Sequence, residues 1–303
     1  MKNISLVVLA AGMGSRFGGL KQLSGVGPHG ETLLEYGVHD ACRAGFQKVI
    51  FVIQENFEAE FRDVLVSRLA GAIDVVCVRQ DMADLPDGRS RPANRIKPWG
   101  TGHALLAARS EIEGPFAVIN GDDFYGNTSY HHMAEFLGQG ERDEGGLRLG
   151  LIGYLLKNTL SSEGSVSRGV CEVDDRDYLV SLKEHRDLCW NDTGTAVHSG
   201  EQGIELSGEE LVSLNLFGLQ AGFMDELELG FDEFLAGNGS SLDAEFFLPD
   251  TVSRVVRDGK ATLRVIATDE TWFGMTYAEE RENVESAIRE RILKGIYPEK
   301  LWS

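Results

Sequence analysis

The sequence predicts an α/β protein built on a Rossmann-like, doubly wound, mostly parallel central sheet. Three observations carry this. Ile4–Ala11 is an apolar run interrupted only by Ser5, a glycine-rich loop (GMGSRFGGLKQLSGVGPHG) follows it at once, and strands then alternate with helices as far as Asn120. A strand covered on both faces reads as continuous apolar sequence, and strand, loop, helix, strand is the βαβ unit of such sheets.

The elements follow in order. A helix is expected over Glu31–Ala44, with Leu34, Val38 and Ala41 on one face and Gly45 as its stop. Next come a strand at Lys48–Ile53, a helix at Glu58–Leu69, a strand at Ile73–Val78, a helix at Gly102–Arg109 and a strand at Phe116–Asn120. The polar stretch from Gln80 to Gly100 reads as a loop or a disordered surface insertion. Leu149–Leu155 is a strand, and Arg168–Val173 pairs with Tyr178–Lys183 across Asp174–Asp177 in a hairpin. Asp187–Leu206 reads as a weakly structured insertion and Leu211–Leu219 as a further strand. A last helix runs from about Tyr277 to Gly295, opened by a capping box of Thr276 and Glu279.

With 303 residues, 42% hydrophobic and 25% charged, the chain has the composition of a folded domain. Its net charge of −19 disfavours nucleic acid and anionic membranes as partners. Yet Met1–Gly30 holds Lys2, Arg16 and Lys21 and no acid, which marks a local anion site. Cys42, Cys77, Cys171 and Cys189 are too dispersed for a metal or redox pair, so reduced thiols and a cytoplasmic location are expected. The apolar start is too short for a signal peptide core or a membrane span. His131-His132 cannot share one helix face and read as a solvated helix end.

Glycines in the loop after the first strand let backbone N–H groups approach phosphate oxygens. A P-loop is excluded because Gly-Lys-Ser/Thr is missing, and a dinucleotide fingerprint because Phe17 stands where its third glycine belongs. LAAGMGSRFGGLKQL, with Arg16 two residues past Gly14 and Lys21 five beyond Arg16, resembles the signature of the sugar-1-phosphate nucleotidyltransferases, the NDP-sugar pyrophosphorylases. Further likenesses follow in the same order along the chain. Gly100-Thr101-Gly102-His103-Ala104 resembles the base-and-ribose loop, Gly121-Asp122 the metal aspartate, and Arg168-Gly169-Val170 the glycine beside the sugar. Glu184-His185-Arg186-Asp187 and Asn215 are similar to sugar-holding residues of the N-acetylglucosamine 1-phosphate uridylyltransferase branch, and Gly274-Met275-Thr276 to a segment that completes the metal site.

The resemblance implies the nucleotide-diphospho-sugar transferase fold in one domain over 1–303, without the C-terminal β-helix of many relatives. Residues 1–125 would form the nucleotide half, 126–270 the sugar-phosphate half with its inserted hairpin, and 271–303 a helical segment. It implies Mg2+-dependent transfer from an NTP, with UTP favoured, to a sugar 1-phosphate such as a hexose or N-acetylhexosamine phosphate. Arg16 and Lys21 would be catalytic. Leu9, Ala11, Gly12, Gly14, Ser15, Gln80, Gly100 and Thr101 would bind nucleotide. Gly169, Glu184 and Asn215 would bind sugar, and Asp122 with Thr276 the metal.

Two features depart from the pattern. Asp81–Trp99, carrying Arg89, Arg91, Arg95 and Lys97, separates Gln80 from the second glycine loop. Trp190-Asn191-Asp192-Thr193-Gly194-Thr195 imitates a thymidylyl-branch metal motif but precedes the strand it should follow, so it reads as an insertion turn. Competing readings are a metal-dependent glycosyltransferase, a nicotinamide oxidoreductase (disfavoured by Phe17) and a non-catalytic sugar-nucleotide sensor. Release of pyrophosphate separates the first from a nucleotidyltransferase.

Overall fold

The computed structural model describes residues 3–12, 23–86, 88–140, 142–143, 146–161, 164–191, 194, 197–198, 204–275 and 280–302. β1 (Ser5–Leu9) is flanked in parallel by β2 (Lys48–Ile53) and β4 (Phe116–Asn120), and β2 by β3 (Asp74–Arg79). Val8 packs into the hydrophobic layer under α1 (Leu33–Ala44), whereas its neighbour Val7 packs into the layer on the other face. Because successive strand residues alternate sides, the consecutive apolar residues Leu6–Leu9 of β1 require both layers.

The elements depart from expectation at their ends. β1 is shorter than Ile4–Ala11. α1 begins at Leu33, leaving Glu31 outside, because Thr32 is the cap: its hydroxyl accepts from Glu35 N–H and the Glu35 carboxylate accepts from Thr32 N–H. Gly45 stops α1 at φ +97°, a conformation that costs other residues a Cβ clash. The helix expected over Glu58–Leu69 is a composite starting at Glu55, with a π turn over Arg62–Val66. α2 (Thr101–Leu106) starts one residue early and ends short of Arg109.

β5 (Asp123–Phe124) and α3 (Asn127–Gly138) follow. His131 and His132 lie within α3 rather than at its end. β6 (Gly146–Leu155) leads into the hairpin, which is longer than expected: β7 (Val166–Val173) pairs antiparallel with β8 (Leu179–Trp190). The stretch expected to be a weak insertion from Asp187 therefore begins as strand, and Val197–His198 and Glu205–Leu206 extend the same sheet edge. β9 (Leu211–Leu219) pairs with β4, β6 and β7, joining the two halves of the sheet.

α4 (Phe223–Asn238), α5 (Leu248–Arg257) and β10 (Ala261–Thr268), which is parallel to β6, complete the body. β11 (Phe273–Gly274) then pairs antiparallel with β5. α6 (Arg281–Leu293) buries Val284 and Ile288 against Phe124, Tyr36 and Met275. The Thr276–Glu279 capping box lies outside the described residues.

The segment between β3 and α2 is an ordered loop rather than a disordered insertion. Arg95 is fully buried, its guanidinium 3.5 Å from the Trp99 ring centroid, and donates to the carbonyls of Pro98, Ser241 and Ala244. Arg89 pairs with Asp232 of α4, and Lys97 with Glu245. Phe246 N–H donates to the Trp99 carbonyl at 2.6 Å, and Gly102 N–H to the Phe246 carbonyl at 2.9 Å. Of the loop's four basic residues, three are therefore engaged in holding it to the far half of the molecule.

Candidate functional site

The carboxyl ends of β1 and β4, where open α/β sheets place ligands, meet at Leu9 and Asn120. The Leu9 carbonyl accepts from Gly121 N–H, and the Ala11 carbonyl from Gln54 Nε2 at 2.8 Å. A Cβ built on Gly12 would touch no described residue within 4 Å. Gly14, Ser15, Arg16 and Lys21 lie outside the described residues, as do Asp192 and Thr276.

Gln80, at the end of β3, is buried despite the inserted loop, and its amide reaches Gly100. It lines a cavity of about 340 Å³ with Gln54, Met82, Ile96 and Pro98. The insertion contributes Met82, Ile96 and Pro98 together with Asp81 to this wall, which Glu55 and Arg79 complete, while Arg89, Arg95 and Lys97 are paired elsewhere. Gly100 has φ +100°, and a Cβ there would lie 2.6 Å from the Phe246 carbonyl oxygen, so no larger residue fits. Thr101 Oγ1 accepts from Leu248 N–H at the start of α5.

A second cavity, of about 600 Å³, brings together Thr101, Gly169, Glu184 and Asn215 with Asp123, Arg168 and Asp250. The first four stand on four different elements. Gly169 and Glu184 are direct cross-strand partners in β7 and β8. Asn215 sits where the pairing of β9 with β6 shifts register between Ser213 and Phe217, with φ +65°. Asn tolerates that left-handed conformation better than most residues, and a bulge re-aims a strand side chain.

Asp123 is braced by its neighbours. Asn120 Nδ2 donates to Asp123 Oδ2 at 2.9 Å, and the Tyr125 hydroxyl stands 3.2 Å from the same oxygen and 2.9 Å from the Leu214 carbonyl. Asp122 precedes it, and its carbonyl accepts from Met275 N–H; Gly274 is the strand partner of Asp123. The Gly274-Met275 segment therefore does lie against the Asp122-Asp123 pair. No cluster of three or more His, Cys, Asp or Glu that could hold a metal ion occurs among the described residues. The donor set is nonetheless of the kind Mg2+ takes, one or two carboxylates with water and phosphate oxygens supplying the rest.

The cavity's electrostatics set its acids apart. Burial, with the nearby Glu184 charge second, pushes the Asp250 carboxyl above its usual value. Arg168 is buried beside Trp272, 4.6 Å from the ring centroid, and its Nε donates to Thr159 Oγ1. Burial lowers its pKa to about 10, with Asp123 opposing the shift. Sequence reasoning missed Arg168, Asp250 and Trp272. Arg168 is contiguous with the singled-out Gly169, and Pro249 near the first turn of α5 is a helix-start signal that locates Asp250.

Residues 6–85, covering β1 to β3 and Gln80, match the model of the MobA-like NTP transferase domain. A putative glucose-1-phosphate thymidylyltransferase from Bacillus anthracis, solved with a sucrose, superposes with a TM-score of 0.61 at 13% identity. The match covers 95% of this chain and 96% of that one. The chain has the nucleotide-diphospho-sugar transferase fold. The inositol-1-phosphate CTP transferase of T. maritima is similarly alike, with a TM-score of 0.59, 13% identity and coverage of 94% and 96%. At such identities the likeness concerns the fold. No curated protein matches the chain by sequence. Among the described residues no helix is long and apolar enough to cross a membrane.

Proposed function

We propose that the protein transfers a nucleotidyl group from an NTP, with UTP favoured, to a sugar 1-phosphate, giving an NDP-sugar and pyrophosphate. The observation that carries this reading is the convergence of Thr101, Gly169, Glu184 and Asn215 on one cavity beside Asp123. In this reading residues 1–125 serve the nucleotide, 126–270 the sugar phosphate, and 271–303 close over the Asp122-Asp123 end.

A sugar phosphate is largely dianionic at neutral pH, its second pKa being about 6 by analogy with phosphoserine, so it attacks the α-phosphorus without a general base. Catalysis then consists of alignment and charge neutralisation. Arg16 neutralises the departing β- and γ-phosphates, and Lys21 the α-phosphate and the attacking phosphate. Gly12, Gly14 and Ser15 offer backbone N–H groups to phosphates, while Leu9, Ala11, Gln80, Gly100 and Thr101 enclose the nucleoside. Glu184 accepts hydrogen bonds from sugar hydroxyls and the Asn215 amide can both donate and accept. Asp122 and Asp123 would hold Mg2+, which when bound neutralises phosphate charge; Thr276 is a further candidate ligand.

The deciding experiment is pyrophosphate release from purified protein over a matrix of nucleotides and sugar phosphates. UTP with glucose 1-phosphate or N-acetylglucosamine 1-phosphate should give the highest rates. Faster turnover with GTP or ATP removes the uridylyl preference. Sugar transfer from a nucleotide sugar with no pyrophosphate formed removes the reading altogether.

A further inference from the structure

Gln80 is joined to a chain of hydrogen bonds whose directions are fixed at both ends. Its Nε2 lies 3.2 Å from the Gly100 carbonyl oxygen and 3.1 Å from His103 Nδ1. His103 Nε2 lies 3.1 Å from the Asp84 carbonyl oxygen. Backbone carbonyls only accept, so the amide nitrogen must face Gly100 and His103 Nε2 must carry its proton. Nδ1 is then bare and accepts from Gln80. A flipped Gln80 amide would set its oxygen against the Gly100 oxygen, so the orientation is determined.

The arrangement spends both Gln80 N–H groups and leaves Oε1 as the amide's uncommitted polar atom, in a side chain lining the cavity of about 340 Å³. Gln54, on the same cavity wall, likewise spends Nε2 on the Ala11 carbonyl. His103 is buried against the Phe231 ring, 4.9 Å between centroids, and burial favours the neutral imidazole that the chain requires.

We infer that His103 is a positioning residue that holds the Gln80 amide with its oxygen toward the nucleobase, so that the site selects bases bearing a ring N–H over cytosine. Uracil and thymine carry such a proton at the ring nitrogen where cytosine has a lone pair. A lone pair set against a fixed carbonyl oxygen leaves both acceptors unpaired, which a hydrogen-bonding site rejects strongly. This rests on the nucleotidyltransferase reading and deepens it, since the resemblance assigns the Gly100–Ala104 loop to the base and ribose but gives the His103 side chain no part in choosing the base.

The test is calorimetric binding of UTP and CTP to the full-length protein and to two variants. The wild type should bind UTP at least ~10-fold more tightly than CTP, the worth of about one hydrogen bond. His103→Leu should bring the two affinities within ~3-fold of each other, and His103→Asn, whose oxygen can replace Nδ1 as acceptor, should restore the preference. Equal or tighter CTP binding by the wild type, or a preference unchanged in folded His103→Leu, overturns the inference alone. Binding of neither nucleotide overturns the functional reading with it. If His103→Leu does not fold, 15N chemical shifts of the wild-type imidazole decide. A neutral ring protonated on Nε2 at pH 7 supports the relay, and protonation on Nδ1 refutes it.

Discussion

Gly169 and Glu184 face each other across the β7–β8 hairpin, so the missing side chain of one makes room beside the carboxylate of the other. A Cβ at 169 would come 3.0 Å from Leu182 Cδ1 and 3.7 Å from Ser213 Cβ, both in residues of the cavity wall. Gly169→Val should therefore raise KM for the sugar phosphate by ~10-fold or more while nucleotide binding changes little. Steady-state kinetics with each substrate varied in turn will show this, and an unchanged sugar-phosphate KM refutes it.

Glu184→Ala should impair the sugar phosphate far more than the nucleotide, by ~10- to 100-fold in kcat/KM, the scale of one or two hydrogen bonds to a charged group. The Asp250 carboxyl should at the same time titrate at lower pH, because Glu184 contributes to its upward shift. Carboxyl NMR titration of both proteins checks the second outcome.

Asp122→Asn should shift the Mg2+ dependence of turnover to higher concentration with the fold intact, the loss of one carboxylate ligand. Asp123→Asn should do the same and also weaken the sugar phosphate, since Asp123 lies in the cavity wall. A Mg2+ titration left unchanged by both variants would move the metal elsewhere.

Arg95→Ala should lower unfolding stability by about 2–4 kcal/mol, because it empties a buried site and strands three backbone carbonyls. Urea unfolding measures it. A change under ~0.5 kcal/mol would mean the inserted loop is not held as described.

The folded-state pKa of His103 is depressed by burial, below its usual value near 6.5. The unfolded chain then binds the extra proton first, so this residue costs nothing above about pH 6.5 and destabilises increasingly as pH falls below it. Stability of the wild type should decline more steeply than that of His103→Asn between about pH 6.5 and 5. Parallel declines would place His103 in a less buried setting.

How far the molecule was legible depended on where the information lay. β2, β4 and β9 matched their expected limits because buried strands are apolar runs with polar ends. α4 carries acidic residues and no side-chain cap, so it does not announce itself in sequence, whereas α5 was passed over although Pro249 at its start and a strongly one-sided apolar face mark it. Gly169, Glu184 and Asn215 were singled out through a family likeness, and the hairpin and the register shift in β9 bring them to one cavity. Arg168 and Arg95 were not readable as buried groups, because burial of a charge is decided by residues distant in the chain. The basic loop was legible as a loop. That three of its cations grip the opposite half of the protein was not.

The backbone exchange between Trp99 and Phe246 binds the walls of the two cavities into one unit. Gly100, which accepts from Gln80 on one side, abuts the Phe246 backbone, and Phe247, Pro249 and Asp250 continue from it into the larger cavity. In the proposed reading a base seated against the glycine loop would reach the second cavity through the Trp99–Phe246 and Phe246–Gly102 backbone bonds and the Leu248–Thr101 bond. Linkage makes such communication reciprocal: any factor by which the first ligand tightens the second is the factor by which the second tightens the first. In the proposed reading, a change at the glycine loop that alters base preference is therefore expected to reach acceptor affinity, whereas changes on the β7–β8 hairpin, away from this contact, are not.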